Sequence, residues 1–165
     1  MPMAKRFLPI LAVGLFLSLW SPVAKAQDPE LVPAGTYTDV ALHEINGARE
    51  SVHLFLYLFA RQPTKPDAGP SRLLNALVQA RQRGVRVEVV LHPGDQAFDL
   101  LDRNRPVAEE LQRAGVDVFY AQKTVLHAKV LVVDGRTVLL GSTNWTTAAL
   151  EKNVEADVLF PDFDS

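Results

Sequence analysis

The sequence predicts one α/β domain, a mixed and largely parallel β-sheet flanked by helices on both faces. Two patterns carry this expectation. Segments with helical and strand periodicity alternate from residue 38 to residue 160. The strand segments are apolar on both faces, as strands buried between layers of helix are. The 165 residues suffice for one ordinary domain with a core, and 48% hydrophobic with 22% charged residues is a globular composition.

Residues 1–26 stand apart from that domain. Lys5 and Arg6 form a basic start, Phe7 to Trp20 is an apolar run, and Ala24-Lys25-Ala26 is a small-x-small cleavage sequence. This is the layout of a secretory signal peptide. As a helix the apolar run reaches about 21 Å, short of a ~30 Å hydrocarbon core. Cleavage after Ala26 and export to the periplasm or medium are therefore expected, ahead of a retained membrane anchor. Residues 27–37 read as a polar leader and residues 38–165 as the domain. Cleavage removes three of the 17 basic residues and none of the 19 acidic ones, leaving a net charge of −5. Such a chain has no general attraction for nucleic acid, though a local basic patch is compatible with it. Without cysteine there is no disulfide, thiol nucleophile or thiolate metal site.

Thr38 or Asp39 can cap a helix through residue 49, with Val40, Ala41, Leu42 and Ile45 at roughly helical spacing. Residues 51–60 read as a buried strand and 61–70 as a proline-rich loop. Ser71 caps the next helix, which buries Leu73, Leu74, Leu77, Val78 and Ala80 and closes at Gly84. A strand over 85–92 follows, then a helix starting near Pro106 and closing at Gly115, then a strand over 116–121. Residues 126–140 form two strands about Asp134-Gly135, a strong signal for a tight hairpin. One or two helical turns over 146–152 and a strand over 154–160 complete the reading.

The hairpin carries the chemistry. Strand alternation puts His127, Lys129 and Leu131 on one face. A turn closing at Asp134-Gly135 sets Ser142 opposite His127, with Asn144 just beyond. Gly141 lets the backbone approach a neighbour closely. Imidazole, ammonium, hydroxyl and carboxamide thus come together, a set suited to an anionic tetrahedral substrate. A neutral imidazole can attack phosphorus or take a proton, and the other groups can hold the non-bridging oxygens as charge develops. No cofactor or metal ion is expected. Each residue alone has a plainer reading: a lone strand histidine is usually structural, a lone strand lysine usually reaches to solvent. The joint spacing is what separates the two.

That spacing, His-x-Lys-x4-Asp-x6-Gly-Ser-x-Asn, is filled at His127, Lys129, Asp134, Gly141, Ser142 and Asn144. It resembles the motif of the phospholipase D superfamily. The similarity continues through Trp145-Thr146 and Asn153-Val154-Glu155 and upstream to the Ala41…Ile45 helix, covering about residues 38–160. It looks most similar to short, exported bacterial endonucleases that carry a single motif. The resemblance implies that His127 is the nucleophile, forming a phosphohistidine, while Lys129 and Asn144 bind phosphoryl oxygens. Ser142 would support the site, Glu155 would orient the imidazole, and Asp134 would hold the hairpin. The family's chemistry uses two motif histidines, and His43, His53 and His92 lack a partner lysine. A homodimer sharing one pocket is therefore expected, with Trp145 either at that interface or in the core. A loop role suits His92. The expected activity is metal-independent phosphodiester hydrolysis, as a nonspecific endonuclease with Arg61, Lys65, Arg72 and Lys123 lining a groove. The alternatives are hydrolysis of phosphatidylcholine-type lipids to phosphatidic acid, or an inactive binding protein on the same fold.

Overall fold

The computed structural model describes residues 28–93, 100–122 and 125–162. The segment read as a signal peptide and Lys123 lie outside the described residues. The elements run β1 (Glu30–Leu31), α1 (Tyr37–Gly47), β2 (Ser51–Leu56), β3 (Phe59–Ala60), α2 (Gly69–Gln82), β4 (Arg86–Leu91) and α3 (Leu100–Arg113). They continue β5 (Asp117–Tyr120), β6 (Lys129–Val133), β7 (Thr137–Gly141), β8 (Trp145–Thr146), α4 (Thr147–Glu151) and β9 (Asp157–Phe160).

The main sheet has seven strands in the order β1-β9-β7-β6-β2-β4-β5. β2, β4 and β5 pair in parallel, as strands linked by helical crossovers do. The remaining neighbours are antiparallel, so the sheet is mixed, with only β6 and β9 running against the common direction.

Alternation along each strand builds the core. Val52, Leu54 and Leu56 of β2 lie beside Val87, Val89 and Leu91 of β4 and, with Leu131, Val133 and Leu139, face the helices. Ala41 and Ile45 of α1, Leu73, Leu77 and Ala80 of α2, and Val107, Ala108 and Leu111 of α3 close over them in one cluster. Helices were expected on both faces. Among the described residues α1 to α4 all pack on this one face. On the other face Phe55, Phe119 and Leu140 are exposed, and His53, Val90, Val130, Val132 and Val138 are half-buried.

Other boundaries also differ from expectation. The strand over 51–60 breaks after Leu56, because Phe59–Ala60 leaves the main sheet and pairs in parallel with Trp145–Thr146. Part of the polar leader is structural: Glu30 and Leu31 add an edge strand against β9. α3 begins at Leu100, and Pro106 sits inside it instead of starting it. The hairpin turn has positive φ at Asp134 (54°) and Gly135 (66°), with the Arg136 N–H donating to Val133 O at 3.0 Å. Yet the ladder pairs Val133 with Thr137 and Val130 with Leu140, one residue out of the expected register. Ser142 is thus not opposite His127, which lies in the segment leading into β6.

Candidate active site

The site forms where β2 and β4 end and β6 begins. The Tyr57 N–H donates to Ala128 O at 3.0 Å, tying the end of β2 to the segment that carries His127. The Tyr57 ring packs at 4.6 Å from the His127 ring and at 5.1 Å from that of His92. Lys129, only 6% exposed, reaches up from β6. Its Nζ lies 3.2 Å from His127 Nδ1 and 3.3 Å from Nε2, and donates to the His127 carbonyl at 2.9 Å. It also stands 5.2 Å from the centre of the Tyr57 ring, a favourable place for a cation. Burial pulls the Lys129 pKa below the ordinary lysine value, and the Glu155 carboxylate partly offsets this.

The second wall comes from the end of β7. A Cβ on Gly141 would lie 2.1 Å from Asp157 Oδ1 and 2.4 Å from Ala156 O, so β9 can pass only a glycine here. Buried Asp157 then accepts bonds from the Thr143 N–H at 3.2 Å and the Thr143 hydroxyl at 2.6 Å. This fixes the turn on which Ser142 and Asn144 project. The Ser142 hydroxyl donates to Glu155 and accepts from the Ala156 N–H at 3.0 Å. Asn153 Nδ2 donates to the other Glu155 oxygen at 3.0 Å. Glu155 thus bonds Ser142 and Asn153, and no hydrogen bond joins it to His127 among the described residues. The Asn144 Oδ1 is buried without a partner.

Asp134 lies at the far end of β6 and touches none of these groups. Its carboxylate accepts from the N–H groups of Arg49, Glu50 and Ser51, at 3.0, 2.8 and 2.9 Å. Burial raises its pKa, but these bonds and the Arg49 charge outweigh it, so the carboxyl is held below the ordinary value. Its place is structural, joining the hairpin turn to the start of β2. Trp145 is in the core, not at an outer surface: it is 0% exposed, donates to the Tyr37 hydroxyl at 3.1 Å and stacks edge-on against Phe59.

Three supporting residues escaped the sequence reading. Tyr57 and Asp157 stand in apolar strand patterns with nothing to single them out. Asn104 left a signal. It shares a helical face with Val107, Ala108 and Leu111, and a polar residue on an apolar stripe needs partners. Its amide accepts from the Phe59 N–H at 2.8 Å and donates to Tyr57 O at 3.1 Å and His92 O at 2.9 Å. Of the cations expected to line a groove, Arg61 pairs with Glu110 and Arg72 with Asp39. His53 pairs with Glu88 on the open sheet face, away from the site.

Known proteins place this architecture. A family model described as the cardiolipin synthase, phospholipase D-like domain matches residues 41–164. The chain belongs to the phospholipase D-like family. It is 31% identical over 133 residues to a phospholipase D of Rickettsia felis, covering 79% of this chain and 58% of that protein. It is 34% identical over 102 residues to cardiolipin synthase A of Buchnera aphidicola, covering 61% of this chain and 21% of that one. The chain therefore spans little more than half the length of the first and about a fifth of the second. Among solved structures it is similar to Nuc of Salmonella typhimurium, a phospholipase D family member, with a TM-score of 0.66 and 27% identity. That match covers 82% of this chain and 85% of Nuc. NucT of Helicobacter pylori shares the fold, with a TM-score of 0.55 and 19% identity.

Proposed function

We propose that the protein is a phosphodiesterase that works through a phosphohistidine on His127, with a nucleic acid strand as substrate. The observation that carries this is the Lys129 ammonium beside an exposed His127 ring, at the end of the sheet where the turn after β7 also brings Ser142 and Asn144. An imidazole nitrogen of His127 attacks phosphorus. The P–N bond forms as the P–O bond to the leaving oxygen breaks, and that oxygen takes a proton from a second imidazole. Water then attacks, passes its proton to that second imidazole, and the P–N bond breaks. Lys129 and Asn144 hold the non-bridging oxygens throughout, where developing charge is greatest. Ser142 and Glu155 brace the turn that presents Asn144.

The second imidazole is the partner's His127, in a homodimer whose two-fold axis passes through one shared pocket. His92 does not serve, because it is buried with its ring stacked on Tyr57. Export through residues 1–26 would place the enzyme outside the cytoplasm. Similarity to short single-motif endonucleases, and to Nuc over most of both chains, supports a nucleic acid substrate. The names of the Rickettsia and Buchnera relatives favour a lipid instead. Turnover of single-stranded DNA and of phosphatidylcholine vesicles at equal enzyme separates the two. Faster release from DNA is expected; release from vesicles alone would overturn the nucleic acid reading.

A further inference from the structure

A cavity of about 420 Å³ opens beside the site, lined by Ala60, Arg61, Arg103, Thr146 and Thr147. Each of its walls continues an element that builds the active site. Arg103 precedes Asn104, which binds the backbone of Tyr57 and His92. Ala60 lies three residues past Tyr57, and Thr146 two past Asn144, on the paired strands β3 and β8. Two or three residues of chain span at most about 7–11 Å, so these cavity walls lie within that reach of Tyr57 and Asn144. That reach accommodates the distance between neighbouring phosphates on one nucleic acid strand.

The lining is chemically marked. The Thr147 hydroxyl oxygen is buried without a hydrogen-bond partner. Arg103 is exposed and has no partner among the described residues. Arg61 is anchored by Glu110, so its guanidinium is held in place. Two guanidinium groups and an unpaired hydroxyl around one concavity fit a phosphate, which takes planar donors two at a time.

We infer that this cavity binds the phosphate next to the scissile one on a nucleic acid strand. The inference rests on the nucleic acid reading above and deepens it. A subsite for a flanking phosphate makes productive binding depend on a polyanionic strand, in a chain with little net attraction for one.

The test compares a substrate that has a flanking phosphate with one that has none. Arg103→Ala and Thr147→Val are made in the full chain. Binding of an eight-nucleotide single-stranded DNA is measured in a His127→Ala background, and turnover of bis(p-nitrophenyl) phosphate with His127 intact. Arg103→Ala should weaken oligonucleotide binding about tenfold, and Thr147→Val severalfold. Arg103→Ala should also reduce the salt slope of binding by about 0.7, one phosphate contact on a single strand. Single-diester turnover should stay within twofold of wild type, which also shows that the variants fold. Unchanged oligonucleotide binding, or a parallel fall on the single diester, would overturn the inference. DNA cut at wild-type rates by both variants overturns the subsite and leaves the nucleic acid reading standing. Wild-type protein that binds and cuts no DNA overturns both.

Discussion

The Lys129 ammonium lies almost equidistant from the two ring nitrogens of His127, at 3.2 and 3.3 Å, while donating to the carbonyl of the same residue at 2.9 Å. The lysine is buried and the histidine ring exposed. One residue is therefore fixed by the sheet, and the other is presented to whatever enters. A substrate phosphoryl group at the imidazole would meet the ammonium without any rearrangement of the chain.

Lys129→Met should lower kcat about 100- to 1,000-fold, as loss of a preorganised group that meets developing charge does. KM should change far less. Because burial holds the Lys129 pKa below its ordinary 10.5, the alkaline limb of the rate profile should begin below that value as the ammonium loses its proton. Steady-state kinetics across pH check both. A kcat within threefold of wild type would show that this ammonium does not act in the chemical step.

Asp134→Asn should leave the reaction intact but destabilise the fold. It replaces a carboxylate that accepts from three backbone N–H groups, at a cost of about 2 kcal/mol. The folded pKa of Asp134 is depressed, so its stabilisation is fully present above the ordinary 3.8 and fades as pH falls through the folded value. Urea unfolding should show a gap between wild type and variant at pH 7 that closes in acid. A constant gap would mean that charge is not the cause.

Gly141→Ala should be among the most damaging single-methyl changes. The new Cβ meets backbone and a buried carboxylate, neither of which can swing aside. A loss of roughly 2–3 kcal/mol is expected, with displacement of β9. A midpoint of denaturation close to wild type would show that β9 can yield.

Asn104→Ala removes three hydrogen bonds, two of them fully buried, to the backbone groups of Phe59, His92 and Tyr57. About 3 kcal/mol of stability should go. kcat should fall as well, because the end of β2 loses its position. Thermal melting and kinetics on one preparation check this, and stability lost without any change in kcat would confine Asn104 to the core.

Much of this was legible because local rules and tertiary packing agree. Val52, Leu54 and Leu56 alternate as one face of a buried strand and occupy that place. Asp134-Gly135 adopts the two positive φ angles that such a pair favours. The motif spacing brought His127, Lys129, Ser142 and Asn144 to one end of the sheet. Where the reading missed, non-local contacts decided. Phe59–Ala60 leaves the sheet to meet β8, far along the chain. Pro106 looks like a helix start, yet α3 runs through it, its apolar face held by the core. Trp145 was open between core and interface, and its bond to Tyr37 settles it in the core. Glu155 was expected at the imidazole, but the serine hydroxyl and Asn153 hold it. The open face of the sheet was not legible either, since an apolar strand face looks the same whether or not a helix covers it.

The most direct test of His127 as a nucleophile toward phosphodiesters is plasmid nicking by the purified protein in EDTA, with His127→Ala beside it. Nicking by the wild type and none by the variant is the expected result. Equal nicking by both would contradict the assignment of His127, and no nicking by either would contradict the nucleic acid substrate.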